Sequence, residues 1–391
     1  MEACSEAIGL QTALEAELWA SALVGMWWPR RFEPGADDPD LEIGGPIVDE
    51  IARCGNAGAL AALIAIGEVS ETELGLAALE SARRLIADGI DAPRWGQAIL
   101  EAQVTRTAVM CEEVFDDGRT IFIEAAHGDG ERHAVGVYID NNLGMMAKDI
   151  LLADSIERVE DVMRENPQDD GVLRIEPIEP AEASARVRAA IELTDMTLDA
   201  PVGEDYARLR ALALLRAADL PDGDVDVDIP EISAEERDRL FESFLASPEA
   251  GGMEPGADEA DVVSLAIDFC CDYVDGRALR WSPVVAELFM ADWLPRKVVG
   301  DRGLFEAVPS ALEAWVRFAG RERGIPDWAI ARTVEAIPRW TDEMLDAAAD
   351  STAGGPAKRF LAAAKEAGVD LTDEQALAGF IAGWNARSNA A

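Results

Sequence analysis

Lysine and histidine are scarce in this chain of 391 residues: four Lys, two His and 30 Arg stand against 76 Asp and Glu, giving a formal charge of −42. The acid excess is 11 over residues 1–100, 18 over 101–230 and 13 over 231–391, so no single tail carries it. Nucleic acids bind proteins through cationic contacts to phosphate, and anionic lipid surfaces attract basic segments. The composition therefore speaks against both as partners. Three explanations of the acid stay open: a surface kept soluble by charge, a binder of basic proteins, and a mimic of the DNA backbone. The even spread favours the first, since a mimic gathers its carboxylates into one stripe.

Long apolar runs are missing as well. No stretch approaches the roughly 20 apolar residues of a membrane span. Glu2, Glu6, Glu15 and Glu17 interrupt what would be the apolar stretch of a signal peptide, which predicts a cytoplasmic protein. The five cysteines (Cys4, Cys54, Cys111, Cys270, Cys271) are odd in number and form no CxxC, so neither a disulfide framework nor a zinc ribbon is indicated. GxSxG, GxGxxG and HExxH do not occur, and Gly354 to Lys358 lacks the spacing of a phosphate loop. No organic cofactor is predicted.

With 49% hydrophobic content the chain can bury large cores, and its length suggests two or three domains. The pattern predicts a predominantly helical α+β protein in three parts: a helical N-terminal domain (1–102), an α+β domain with an antiparallel meander (103–220) and a helical C-terminal domain (231–391). In the first part, Leu14, Leu18, Ala22 and Met26 form an apolar stripe, and Ala57 to Ile66 a second apolar run. Ser70 with Glu73 reads as a capping box, ahead of a helix that Gly89 ends. At residue 104 the period becomes alternating. Val109 and Cys111, Ile121 and Ile123, and Val135, Val137 and Ile139 lie in three successive runs separated by turn residues. Keeping odd positions together predicts a three-residue first loop over Asp116, Asp117 and Gly118, with Cys111 opposite Ile123 and Gly118 left-handed. The same parity pairs Ile123 with Val135 and Ile121 with Val137. Helices over 155–165, 180–195 and 203–218 and a strand over 172–177 complete this part. Pro221 to Pro230 marks the boundary, and helices then follow over 258–275, 282–293, 307–323, 326–349, 355–367 and 372–386.

The most chemically pointed segment, His127 to His133, holds both histidines. In the predicted register His127 and Glu131 face each other and His133 is their diagonal neighbour, so two imidazoles and a carboxylate could hold Zn or Fe(II). A polar hairpin tip explains the same residues. Asp140, Asn141, Asn142, Lys148 and Asp149 form a second candidate, a strand end able to bind a phosphorylated small molecule or to move a proton. Asx turns would account for it equally. Glu112, Glu124 and Asp140 share the even face of the meander, read as solvated or half covered. Asp222, Asp224, Asp226 and Asp228 alternate as in a calcium loop, but lack its Gly and Glu, with Val227 and Ser233 in those places. Cys270 and Cys271 read as buried thiols, and Trp281, Trp293, Trp315, Trp328 and Trp340 as core pillars.

The segments Glu131–Asp149 and Trp281–Lys297 together resemble an uncharacterised actinobacterial family of acidic, Arg-rich proteins of unknown function, over roughly residues 103–391. The resemblance implies a bacterial cytoplasmic origin and transfers no catalytic residue. The leading functional expectation is a non-catalytic protein that binds a basic protein partner in a regulatory or scaffolding role. The alternative is a small-ligand-binding or metal-dependent enzyme centred on the α+β part.

Overall fold

The computed structural model describes residues 2–32, 38–112, 114–165, 173–224, 230–253 and 256–349, with isolated positions beyond. The fold is α+β and predominantly helical, and the chain divides into two compact units, Met1–Asp228 and Ile229–Ala391. Among the described residues no helix is long and apolar enough to cross a membrane.

The first unit opens with helices α1 (Glu2–Ala7), α2 (Ala13–Gly25), α3 (Gly45–Cys54), α4 (Ala57–Val69), α5 (Glu73–Ala87) and α6 (Gly96–Leu100). Helix α2 starts where the Thr12 hydroxyl accepts from the Glu15 amide at 3.2 Å, and α4 where the Asn56 side chain accepts from the Ala59 amide at 2.9 Å. Small and aliphatic residues run all round α4, and it is buried on nearly every side as the centre of this helical layer. The expected capping box at Ser70 does not form. Ser70 ends α4 by donating its amide to the Ile66 carbonyl, so α5 begins at Glu73 after Thr72. The buried face of α2 is also not the expected one. Ala13, Ala16, Glu17, Ala20, Ser21 and Val24 point inward, while Met26 is exposed, because a face of small residues lets another helix approach closely.

That neighbour comes from the α+β part. Strands β1 (Gln103–Glu112), β2 (Gly118–Ala126), β3 (Arg132–Asp140), β4 (Met146–Ala153) and β5 (Leu173–Pro177) form one antiparallel sheet in the order β4-β3-β2-β1-β5. Helix α7 (Ile156–Glu165) precedes β5, and α8 (Pro180–Asp195) and α9 (Tyr206–Ala218) follow it. Ile121, Ile123, Val135, Val137 and Ile150 on one sheet face pack against Val187 and Ile191 of α8 and Leu209 and Leu212 of α9. Helix α9 in turn lies against α2. A Cβ on Gly25 would run into the Ala207 carbonyl oxygen, and the Ser21 hydroxyl donates to the Arg208 carbonyl at 2.7 Å while accepting from the Leu212 amide at 3.1 Å.

The second hairpin has the predicted register, with Ile123 opposite Val135 and Ile121 opposite Val137. The first does not: Cys111 faces Arg119 and Val109 faces Ile121, a shift of four residues along β2 that keeps odd positions together. The loop is longer than three residues, and Asp116, at φ 53°, takes the left-handed position. Gly118 instead begins β2 beneath the Tyr138 ring, where a side chain would collide. The even sheet face is covered at its centre, since Phe122 and Ala134 are buried under Ile156 of α7.

The second unit comprises α10 (Ala234–Leu245), α11 (Ala257–Phe269), α12 (Pro283–Glu287), α13 (Leu294–Lys297), α14 (Arg302–Arg323) and α15 (Asp327–Ala349). Ser233 and Glu236 make a reciprocal capping box at α10. Trp281, Trp293 and Trp315 are buried among Phe244, Phe269, Phe289 and Phe318, whereas Trp328 is exposed and Trp340 packs at the edge of this core. The helices expected over 355–367 and 372–386 fall outside the described residues except for isolated positions, as do Gly354 to Lys358 and, in the acidic linker, Asp226 and Asp228.

Candidate functional site

The face of α2 that meets α9 carries one acid, Glu17, and the apolar face of α9 carries one base, Arg216. Each is 1% exposed. Their side chains pair through Arg216 Nη2 and Glu17 Oε2, joining residues 199 positions apart. Around them the β2–β3 hairpin contributes both histidines. His127 Nε2 lies 3.0 Å from Glu17 Oε2, and Arg216 Nε donates to His133 Nε2 at 3.1 Å. The two imidazoles stack, ring centroids 5.2 Å apart. Arg216 Nη1 donates to Asp219 Oδ2 at 3.2 Å, so one guanidinium serves two carboxylates and an imidazole.

The charges follow from this wiring. Burial opposes ionisation of Glu17, but the hydrogen bond with His127 and the Arg216 charge outweigh it and hold its pKa below the ordinary range. Burial, and then the Arg216 charge, push the His133 pKa down to about 3, so this ring is neutral. Burial raises the Asp219 pKa against the pull of Arg216, and burial with the nearby Glu17 and Asp219 raises that of Glu68 on α4. Since His133 Nε2 accepts from Arg216, the single proton of its neutral ring sits on Nδ1. In neutral His127 the Glu17 carboxylate fixes the proton on Nε2 and leaves a lone pair on Nδ1. Both Nδ1 atoms are buried without a hydrogen-bond partner, as is Glu131 Oε2. A buried polar atom left this way costs about 1–3 kcal/mol.

The hairpin tip is braced. His127 N donates to the Glu131 carbonyl and Gly130 N to the His127 carbonyl, both at 2.9 Å, while Glu131 N donates to Asp129 Oδ1 at 3.0 Å. Gly128 N reaches the Ala98 carbonyl of α6 at 3.3 Å, tying the tip to the helical layer. Of the residues expected to hold a metal, the structure brings His127 and Glu131 together and adds Asp129, their ligating atoms all within 4.8 Å of one another. His133 is stacked behind His127 and turned to Arg216.

The second expected site ties two loops together. Asp140 accepts from the Asn142 amide at 2.8 Å and from Lys148 Nζ at 3.0 Å, and Asn141 Nδ2 donates to the Asp116 carbonyl at 2.8 Å. Asn142 Nδ2 donates to Asp117 at 3.1 Å, and Asp149 accepts from the Ile150 amide at 2.9 Å. Asn141 and Asn142 thus fasten the β1–β2 and β3–β4 connections to each other, and Asp140 and Lys148 brace the β3–β4 side. On the even face, Glu124 is taken up by Arg132, by Thr105 at 3.2 Å and by the Ile156 amide at 2.8 Å, while the Glu112 side chain lies outside the described residues. In the second unit burial pushes the Cys270 thiol well up and that of Cys271 up to about 11, the reverse of what a nucleophile needs.

One further feature concerns the sheet edge. Strand β5 pairs with β1 only over Ala108–Glu112, so Gln103 to Thr107 have β2 on one side and no strand on the other among the described residues. This open half borders a groove of about 580 Å³ walled by Val104, Thr105, Pro180, Asp219 and Leu220. Comparison with protein-family models, with curated proteins and with solved structures finds no match.

Proposed function

We propose that the protein is a non-catalytic, cytoplasmic interaction protein whose first unit receives an extended, positively charged segment of another protein along the open half of β1. The observation that carries this reading is the early departure of β5, which leaves the side of Gln103–Thr107 away from β2 without a strand among the described residues, beside a groove. An extended segment added there would satisfy main-chain donors and acceptors of β1 and lay its side chains over Leu220 and Pro180. The groove wall carries one charge of each sign, Arg106 and Asp219, so the preference for a basic segment over nucleic acid and membrane surfaces rests on the charge of −42 of the whole chain.

Short peptides alternating Lys or Arg with Val or Ile, presented to the full-length protein in surface plasmon resonance, test this. The reading expects binding that weakens steeply with salt and is lost in Thr105→Pro, which removes a main-chain donor at an exposed position of the edge. Equal binding of acidic peptides, or full binding by a folded Thr105→Pro variant, would sink it.

A further inference from the structure

We propose that the tip of the β2–β3 hairpin binds one divalent transition-metal ion through His127 Nδ1 and the carboxylates of Asp129 and Glu131. This site is separate from the open β1 edge and does not rest on the partner reading.

The three ligating atoms already lie within 4.8 Å of one another, close enough for small side-chain rotations to gather them on one ion. Among the same three side chains, His127 Nδ1 and Glu131 Oε2 are buried and lack hydrogen-bond partners. An ion would satisfy both. Glu17 completes the arrangement from behind. Accepting from Nε2, it fixes the tautomer that turns the Nδ1 lone pair toward the tip and raises the basicity of the ring, the part a carboxylate plays behind a metal-bound histidine. Arg216 holds Glu17 ionised and in place, so the orienting group is itself anchored to α9. The backbone bonds of the tip and its tie to Ala98 hold the ligands on a fixed turn.

The donor set narrows the ion. One imidazole and two carboxylates without a thiolate suit Zn²⁺, Mn²⁺ or Fe²⁺ and disfavour Cu⁺, while Ca²⁺ and Mg²⁺ favour all-oxygen sets. Three protein ligands leave coordination positions open to water or a further ligand. His133 is not part of the set, because its Nε2 is engaged by Arg216 and its Nδ1 holds the proton.

Full-length protein stripped with EDTA and titrated calorimetrically with ZnCl₂ and with MnCl₂ tests the site. We expect one ion per chain for at least one of the two metals, with His127→Ala abolishing binding. Asp129→Asn and Glu131→Gln alter side chains at the tip and leave the core untouched, so they keep the test valid if His127→Ala misfolds; each should weaken binding at least tenfold. Glu17→Gln should weaken it about 10- to 100-fold without changing the stoichiometry. Absence of one-to-one binding by either ion, or binding unchanged in a folded Asp129→Asn/Glu131→Gln double variant, overturns the proposal. Diffuse uptake of many weakly held ions by surface carboxylates counts as absence.

Discussion

Replacing Arg216 by Met tests whether the Glu17–Arg216 pair is the electrostatic joint between α2 and α9. Both side chains are 1% exposed, so the change leaves a carboxylate in the interior with His127 as its remaining partner and strips donors from His133 and Asp219. Breaking a buried pair from one side costs about 3–5 kcal/mol, a large share of the roughly 5–15 kcal/mol that holds a domain together. Glu17→Met should cost a similar amount, because it strands the guanidinium. The double variant leaves neither charge alone and fills the space with apolar atoms. It should lose far less than the sum, with a coupling energy of about 3 kcal/mol or more. Urea unfolding followed by tryptophan fluorescence supplies the energies, and hydrogen exchange of peptides from α2 and α9 assigns the shifted transition to the first unit. Additive losses in the double variant, or single losses under about 1 kcal/mol, would refute the reasoning, since a pair open to water behaves that way.

Two further outcomes follow from contacts elsewhere. Gly25→Ala places a methyl group against the Ala207 carbonyl and should destabilise the first unit by about 1–3 kcal/mol in urea, whereas an unchanged midpoint would mean that α2 and α9 do not cross so closely. In the second unit the Arg321 guanidinium, 2.7 Å from Glu249, holds that carboxyl at about 2. A carboxylate whose folded pKa lies below its unfolded value stabilises fully above the unfolded value and loses that contribution as pH falls. The loss should therefore fall between about pH 4.5, the ordinary glutamate value, and about pH 2. Glu249→Gln should flatten the stability–pH curve of this unit across that window, and an unaltered curve would remove Glu249 from the account.

What could be read from the sequence was local. Parity alone fixed the β2–β3 register, because five residues of a polar Gly-containing turn separate Ala126 from Arg132 and leave one way to keep Ile121, Ile123, Val135 and Val137 on the same face. In the first hairpin the partners lie four residues from those that parity suggests, since the rule preserves parity but not loop length, and nothing local shows that Tyr138 rather than a turn demands Gly118. Ser70 is ambiguous in the sequence because one hydroxyl residue can end a helix or begin the next, and here it ends α4. On α2 side-chain size does not track burial: the Ala and Ser face is the one that admits α9, and the larger Leu14, Leu18 and Met26 lie beside it. The buried network had a faint signal, a lone acid on a face of Ala and Ser and a lone arginine on the apolar face of α9. Only the tertiary fold joins them, across 199 positions. For the same reason His127 and Glu131 could be named as candidates, but Asp129 and the orienting Glu17 could not.

Only two histidines occur in the chain, so long-range ¹⁵N–¹H correlation spectra of the EDTA-treated protein read the centre of this account without assignment by mutation. The wiring by Glu17 and Arg216 predicts opposite tautomers, one ring protonated on Nε2 (His127) and the other on Nδ1 (His133), with the latter staying neutral as pH falls until about 3. Two rings sharing one tautomer, or both taking up a proton near the ordinary histidine value of about 6.5, would contradict it.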